Sequence, residues 1–490
     1  MARNLNRAAP NQSMIPKSGY RFSGKDPAQP ALKSRRISID LRGFLTFSAA
    51  GAAVAAEPFA AQRAIAGPRS SIAIDAMHLG VRAGSPDDQS HALQEAIDRA
   101  AGARVPLALG PGVYRAGGLK LPAGARIVGV RGATRLVLTR GPSLISASHA
   151  DDITLTGLTL DGAGLPLPER RGLVHFADGR GVRIIDCDIL AAGRHGVVLE
   201  GIEGEVVGST IIGAGDAALF SLDARGLRLA GNTIRAAGNN GILVWRSAPG
   251  DDGTLVLDNR IEDVAARAGG SGQNGNAINV FRAGNVMVRG NRISNAAFSG
   301  VRGNAAGNLQ ILGNTCTGLG EVALYAEYAF EGAVIANNIV DGAALGVVVT
   351  NFREGGRLAV VQGNVIRNLS SRRPAGTDPH DAAGVGIGVE ADTAVTGNVI
   401  ENAPSAGIAL GWGQYLRDVT VTGNVVRGAD VGIAVSVVPG AGSAVIADNL
   451  ISGVRRGAIL GMDRHTPVTG DLTNDGARFA QLAISGNRVR

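Results

Sequence analysis

One short step recurs along most of this chain: an asparagine, any residue, then an aliphatic one. It stands at Asn232, Asn259, Asn291, Asn314, Asn337, Asn364, Asn398, Asn424, Asn449 and Asn487, with weaker matches at Leu158, Cys187 and Ser209. The thirteen steps are separated by 29, 22, 23, 27, 32, 23, 23, 27, 34, 26, 25 and 38 residues. Around one of them, Val419–Val435, apolar residues alternate in two runs, Val419/Val421 and Ile433/Val435, punctuated by Gly423-Asn424 and Gly432. Period-two alternation bounded by Gly and Asn reads as short strands joined by tight turns. A supersecondary unit repeated at this period is a solenoid.

Each step has room for three short strands and shows no helical periodicity. The Leu spacing of leucine-rich repeats is absent, and a propeller blade needs about 40 residues. The expected fold is therefore all-β, a single-stranded parallel β-helix with one step per coil and coils stacked at about 4.8 Å. Gly or Asn tolerates the left-handed corner. A buried Asn amide can also bond its copies above and below. These asparagines are accordingly expected to be structural.

Composition enters at two points. Rings make up only 4% of the residues and glycines number 72, which suits a narrow bore. The net charge of +7 invites a nucleic-acid reading, but 10 of the 48 basic and 3 of the 41 acidic residues lie in 1–66, leaving 38 of each in 67–490. A neutral mature chain gives no ground for a nucleic-acid partner. Cys187 and Cys316 fall five coils apart, about 24 Å, beyond disulfide reach. Both read as buried small hydrophobes.

Three segments are expected: 1–66 as a disordered region plus export signal, 67–150 as an N-terminal cap, and 151–490 as the β-helix. Arg35 and Arg36 precede the apolar run Phe44–Ala56, whose thirteen residues are too few to span a bilayer. Small residues follow, as in an export signal, and the Arg pair resembles a twin-arginine signal. The mature chain would then be periplasmic or secreted, with no transmembrane segment. Asp87–Asp98 reads as an amphipathic helix with acidic residues at its start.

The order Asp87-Asp88, then Ala92-Leu93-Gln94-Glu95-Ala96-Ile97, then Pro111-Gly112-Val113-Tyr114 resembles the N-terminal cap of the pectate-lyase-like superfamily. That resemblance implies a right-handed β-helix whose open end is plugged by the helix. The chain is also similar to a family of twin-arginine-exported bacterial β-helix repeat proteins of uncharacterised activity. The match is carried by Gly269–Asn276, Ala323–Glu327, Asn351–Arg357 and Gly411–Arg417.

The gap from ladder position to the next strand is longer in coils one, five and nine: Leu158 to Gly172, Asn259 to Ala277 and Asn364 to Gly386. Three enlarged turns should project from one edge, four coils apart. Loops on a rigid solenoid commonly carry function. The second and third would wall a trough over coils six to eight. The third contains Asp378-Pro379-His380-Asp381, which resembles the catalytic motif of alginate C5-epimerases. By that resemblance His380, Asp378 and Asp381 mark a centre for proton abstraction. Such chemistry needs a base, a cation to neutralise the carboxylate and an acid on the opposite face. His380 suits the base, Tyr328 the acid, and Arg302 or Arg282 the neutraliser.

Strand alternation supplies the expected trough floor: Trp245, Arg246, Asn279, Arg282, Asn304, Glu327, Asn351, Arg353 and Glu390 as substrate-binding residues. The same positions in coils ten to twelve are small, including Ala409, Gly411, Ala434 and Ser436. Arg beside aromatic rings suits a carboxylated sugar polymer. The expected partner is an anionic, uronate-containing polysaccharide, bound and modified by lyase or C5-epimerase chemistry. The other reading is a non-catalytic envelope or glycan-binding solenoid. No cofactor or metal is expected: Asp186/Asp188 and Asp251-Asp252 fall short of the six or more oxygens that Ca²⁺ takes.

Overall fold

The computed structural model describes residues 73–270, 272–378 and 381–490. The expected export signal with Arg35 and Arg36, and His380 of the third loop, lie outside the described residues. Within them the backbone winds as a parallel β-helix of about fourteen turns. Each coil gives one strand to each of three columns. The front column includes Asn276–Gly284, Val301–Asn304, Val322–Glu327, Leu345–Thr350 and Val385–Val389. The second includes Leu309–Leu312, Glu331–Ala336 and Arg357–Gln362, and the third Thr315–Thr317, Ile339–Asp341 and Val365–Arg367. Register is kept residue for residue, as in Val301↔Leu324, Leu324↔Val347 and Val347↔Ile387. Because side chains alternate across a strand, each such line is one aliphatic rail along the bore, and all four residues are buried.

The asparagine column closes every coil from the fourth on. Asn291 donates from its backbone N and its Nδ2 to Asn314 Oδ1, both at 2.9 Å, and the same pair of bonds repeats from Asn232 to Asn487. Each Nδ2 also donates to a carbonyl of the preceding coil, Asn314 to Val288 O at 3.0 Å for example. Coil eight corrects the sequence reading by one residue. The ladder passes from Asn314 through Asn338 to Asn364, whereas Asn337 is the left-handed corner at φ 59°. Gly313 at φ 62° and Gly363 at φ 64° fill that corner in adjacent coils, and asparagine is a residue able to substitute for glycine there.

Helix α1, Ser90–Gly102, packs Leu93, Ala96, Ile97 and Ala100 against the first strands of the solenoid. It begins later than its acidic prelude suggested. Asp88 stands before it and accepts from Ser90 N at 2.9 Å, so the acid organises the entry instead of occupying the first turn. At the other end the segment Pro467–Ala480 folds back over the last front-column strand. Thr466–Asp471 pairs antiparallel with Gly457–Asp463, and Leu472 enters the core with Phe479 packed beside it.

The three enlarged turns occupy residues 162–171, 265–275 and 368–384, all between a third-column and a front-column strand. The third does not stand up as a wall. Arg373 pairs with Glu321, and Gly384 N donates to Ala344 O at 2.7 Å, tying the loop back onto central coils.

Candidate functional site

The expected trough floor is largely roofed. Trp245, Asn279, Arg302, Asn304, Glu327, Asn351 and Glu390 are all buried; Arg246, Arg282 and Tyr328 are half-buried and Arg353 is exposed. Outward-facing in the alternation did not mean solvent-facing, because loops fold onto the sheet. Gly272 O of the second loop accepts from Asn279 Nδ2 at 3.0 Å. Asn279 Oδ1 in turn accepts from Trp245 Nε1 at 3.2 Å, and the indole lies edge-on between Phe220 and Phe281 at 5.4 and 5.8 Å. That ring is core, and offers no platform for a sugar.

Arg302 has no exposed surface. It forks Glu327 through Nε at 2.8 Å and Nη2 at 2.9 Å, lies 3.5 Å from Glu321, and stacks over the Tyr325 ring at 5.0 Å. Asn304 Nδ2 donates to the same Glu327 carboxylate at 2.7 Å. Burial works against the Arg302 charge, but Glu327 and Glu321 outweigh it and hold the guanidinium protonated. Burial also pushes Glu321 upward in spite of Arg302 and Arg373. Arg373 reaches Asp381 at 3.4 Å and Ala382 O at 3.0 Å. The expected neutraliser is thus the hub of a buried charge cluster that clamps the third loop, and its charge is already matched. Asp381 belongs to the same clamp, and Asp378 is half-buried on the loop.

Glu390 and Asn351 form a second clamp. Glu390 Oε2 accepts from Asn351 N at 2.8 Å and Phe352 N at 2.9 Å, while Asn351 exchanges two bonds with the Ala391 backbone at 2.8 and 3.0 Å. Burial lifts the Glu390 carboxyl from 4.5 to about 7, against the two backbone N–H bonds that lower it. The folded chain therefore keeps a proton that the unfolded chain has released between those values. Stability should fall by about 3 kcal/mol as pH rises from 4.5 to 7 and then level off. Denaturant midpoints at pH 5 and pH 8 measure the slope; Glu390→Gln should flatten it, and a slope unchanged in that variant would assign it elsewhere.

The open concavity lies farther along, over coils nine to twelve. A cavity of about 240 Å³ is floored by Ala406, Ala409, Val431, Ala434 and Ser436. Ala382, at the end of the third loop, bounds it on one side. Trp412 and the Arg464-His465 tip of the terminal hairpin form a wall, with the two rings 4.2 Å apart, edge to face. Asp430 and Arg456 stand at the opposite rim, paired at 3.1 Å. Beside Trp412, Tyr415 stacks against Phe352 at 5.4 Å, and Arg417 lies over Phe352 at 5.1 Å. Glu390 thus holds the turn that carries an aromatic neighbour of the wall.

None of Trp412, Asp430, Arg456, Arg464 or His465 was among the expected site residues. The signal was present but inverted: small outward residues at Ala409, Gly411, Ala434 and Ser436 read as absence of chemistry, yet they are what leaves the space.

Several polar groups singled out by type or pairing have structural partners. Asp186 and Asp188 both pair with Arg131. His195 Nδ1 accepts from Ala217 N at 3.2 Å, and Asp216 from Asn239 at 3.0 Å. Cys187 and Cys316 are free and buried. Among the described residues no group of three or more His, Cys, Asp or Glu is placed to hold a metal, and no helix is long and apolar enough to cross a membrane.

A family model described as a right-handed β-helix region matches residues 249–426. The fold is a right-handed parallel β-helix. The N-terminal fragment of bacteriophage phi29 gene product 12 aligns with a TM-score of 0.46 and 13% identity, over 79% of this chain and 68% of that one. The catalytic unit of a GH87 α-1,3-glucanase from Streptomyces thermodiastaticus gives 0.42 and 14%, over 86% and 69%. The A-module of the mannuronan C-5 epimerase AlgE4 from Azotobacter vinelandii gives 0.41 and 15%, over 81% and 100%. No curated protein sequence matches the chain. Likenesses this distant carry no function across.

Proposed function

We propose that this is an exported glycan-binding protein whose ligand is an anionic, uronate-containing polysaccharide, held in the concavity over coils nine to twelve. The carrying observation is the small-residue floor between the Trp412 wall and the Arg456 rim. An indole stacks on a sugar face, hydroxyls and guanidinium groups take sugar oxygens, and Ala side chains let the ring approach the sheet. Arg456, paired with Asp430 on the rim, and Arg464 on the wall give the lining two guanidinium groups against one carboxylate, which favours a carboxylated sugar. Export by the twin-arginine route, to the periplasm or beyond, is part of the same reading and rests on Arg35 and Arg36.

A catalytic version is favoured by one further observation. Ala382 lines the cavity, so the loop carrying Asp378 and Asp381 borders it. In that version His380 abstracts the C5 proton and a rim arginine neutralises the uronate, since Arg302 is engaged by Glu327 and Tyr328 does not line the cavity. Elimination and epimerisation then differ only in whether the carbanion expels its neighbour or is reprotonated.

Binding of the purified protein to immobilised alginate and pectin tests the first reading. Trp412→Ala should weaken it roughly tenfold with the solenoid intact, the loss of one stacked aromatic contact. Deuterium uptake at C5 and unsaturated product test the second. Binding that survives Trp412→Ala unchanged would place the glycan elsewhere on the molecule.

A further inference from the structure

The shape of the concavity sets the length of what it can hold. Along the front column the residues in register are Tyr325, Val348, Gly388, Ala409, Ala434 and Leu460. The outward profile thus drops from large side chains to glycine and alanine for three coils and then rises again. The parallel line repeats the rise, with Ser436 followed in register by Met462. Tyr325 and Val348 are buried on the coils to which the third loop is tied, and Leu460 is buried beside the antiparallel strand Thr466–Asp471. The depression is a basin with two axial ends. An open groove would continue along the solenoid.

The front-column residues that line it run from Val385 to Met462, over four successive coils. Three coil spacings amount to about 14 Å. The volume of about 240 Å³ lies below the roughly 300–1,000 Å³ of pockets that enclose a drug-sized ligand, so sugar rings seated in it keep part of their surface in solvent. A sugar ring in an extended chain advances by roughly one coil spacing, so the length of the basin spans about three rings.

We infer that the basin takes a short glycan epitope, a chain end or a side branch of about three sugar units, and not a running length of polymer laid along the solenoid axis. This rests on the reading of the basin as the glycan site. A continuous polymer would have to climb over Leu460 and Met462 at one end and over the third loop at the other. A terminal unit, or a branch entering from above, meets the Ala409 and Ala434 floor with Trp412 at its side and leaves the rest of the polymer in solvent.

The test is calorimetric titration of the full chain with oligomannuronates and oligogalacturonates of one to six units. Affinity should climb to about three units and then stay flat within twofold. Ala409→Leu, which fills the floor from an outward position, should abolish binding of the trimer while leaving the unfolding transition in place. Affinity that keeps climbing through five and six units would overturn the inference and leave the glycan-binding reading standing. No binding at any length, or trimer binding untouched by Ala409→Leu, would remove both.

Discussion

Asn338→Ala is expected to destabilise the solenoid by about 3–5 kcal/mol, and Asn337→Ala, one residue away, by about 1 kcal/mol. Asn338 Oδ1 accepts from Asn314 N at 2.8 Å and Asn314 Nδ2 at 3.0 Å, and Asn338 Nδ2 donates to Ile311 O at 3.0 Å and Asn364 Oδ1 at 2.9 Å. Truncation strands one backbone N–H and one backbone carbonyl in a bore where no water competes, and each costs about 1–3 kcal/mol. Asn337 supplies only its backbone conformation, at φ 59°; alanine pays the left-handed penalty there, and Asn337→Gly should be neutral or slightly stabilising. Coils interact with their neighbours, so the damage should be local. Amide hydrogen exchange should speed up over coils seven to nine in the Asn338 variant, with the distant coils unaffected. Equal effects from the two alanines would mean that the amide column is not what closes the coils.

The second large effect is at the buried charge cluster. Glu327→Ala leaves Arg302 without its two-pronged partner at a site with no exposed surface. Breaking a buried pair from one side costs about 3–5 kcal/mol, because Glu321, 3.5 Å away and already paired with Arg373, compensates the remaining charge only in part. Replacing Arg302 and Glu327 together by methionine and leucine should restore most of that loss. Urea unfolding of the three proteins, read beside glycan binding, separates two roles. A structural cluster predicts that the double variant recovers both stability and binding. If Glu327→Ala instead folds normally and loses only turnover of a uronan, Arg302 returns to the chemistry.

The staircase was readable because its corner has a chemical requirement. A left-handed residue followed by a buried amide leaves few options, and Gly-Asn, Asp-Asn or Asn-Asn satisfies both. Coil eight slipped because Asn337-Asn338-Ile339 and Asn338-Ile339-Val340 both fit the pattern. Only the corner requirement, which Asn337 meets, decides between them. The three long turns were equally legible as lengths. Their destinations were not, since nothing local in residues 368–384 announces that Arg373 will seek Glu321, distant in sequence. That missing information moved the site: side chains assigned to an open floor became the underside of a roof. The true opening went unnoticed because a hollow is made by what alanine and glycine lack.

All three insertions leave the backbone at the same bend and return to an unaltered register. The molecule therefore separates its chassis from its fittings. Transplanting residues 368–384 to the equivalent bend of another coil would cover one stretch of the wall and bare another, with the amide column undisturbed. Lineages built on such a frame can shift their area of contact up or down the column by moving a single insertion, with no redesign of the interior.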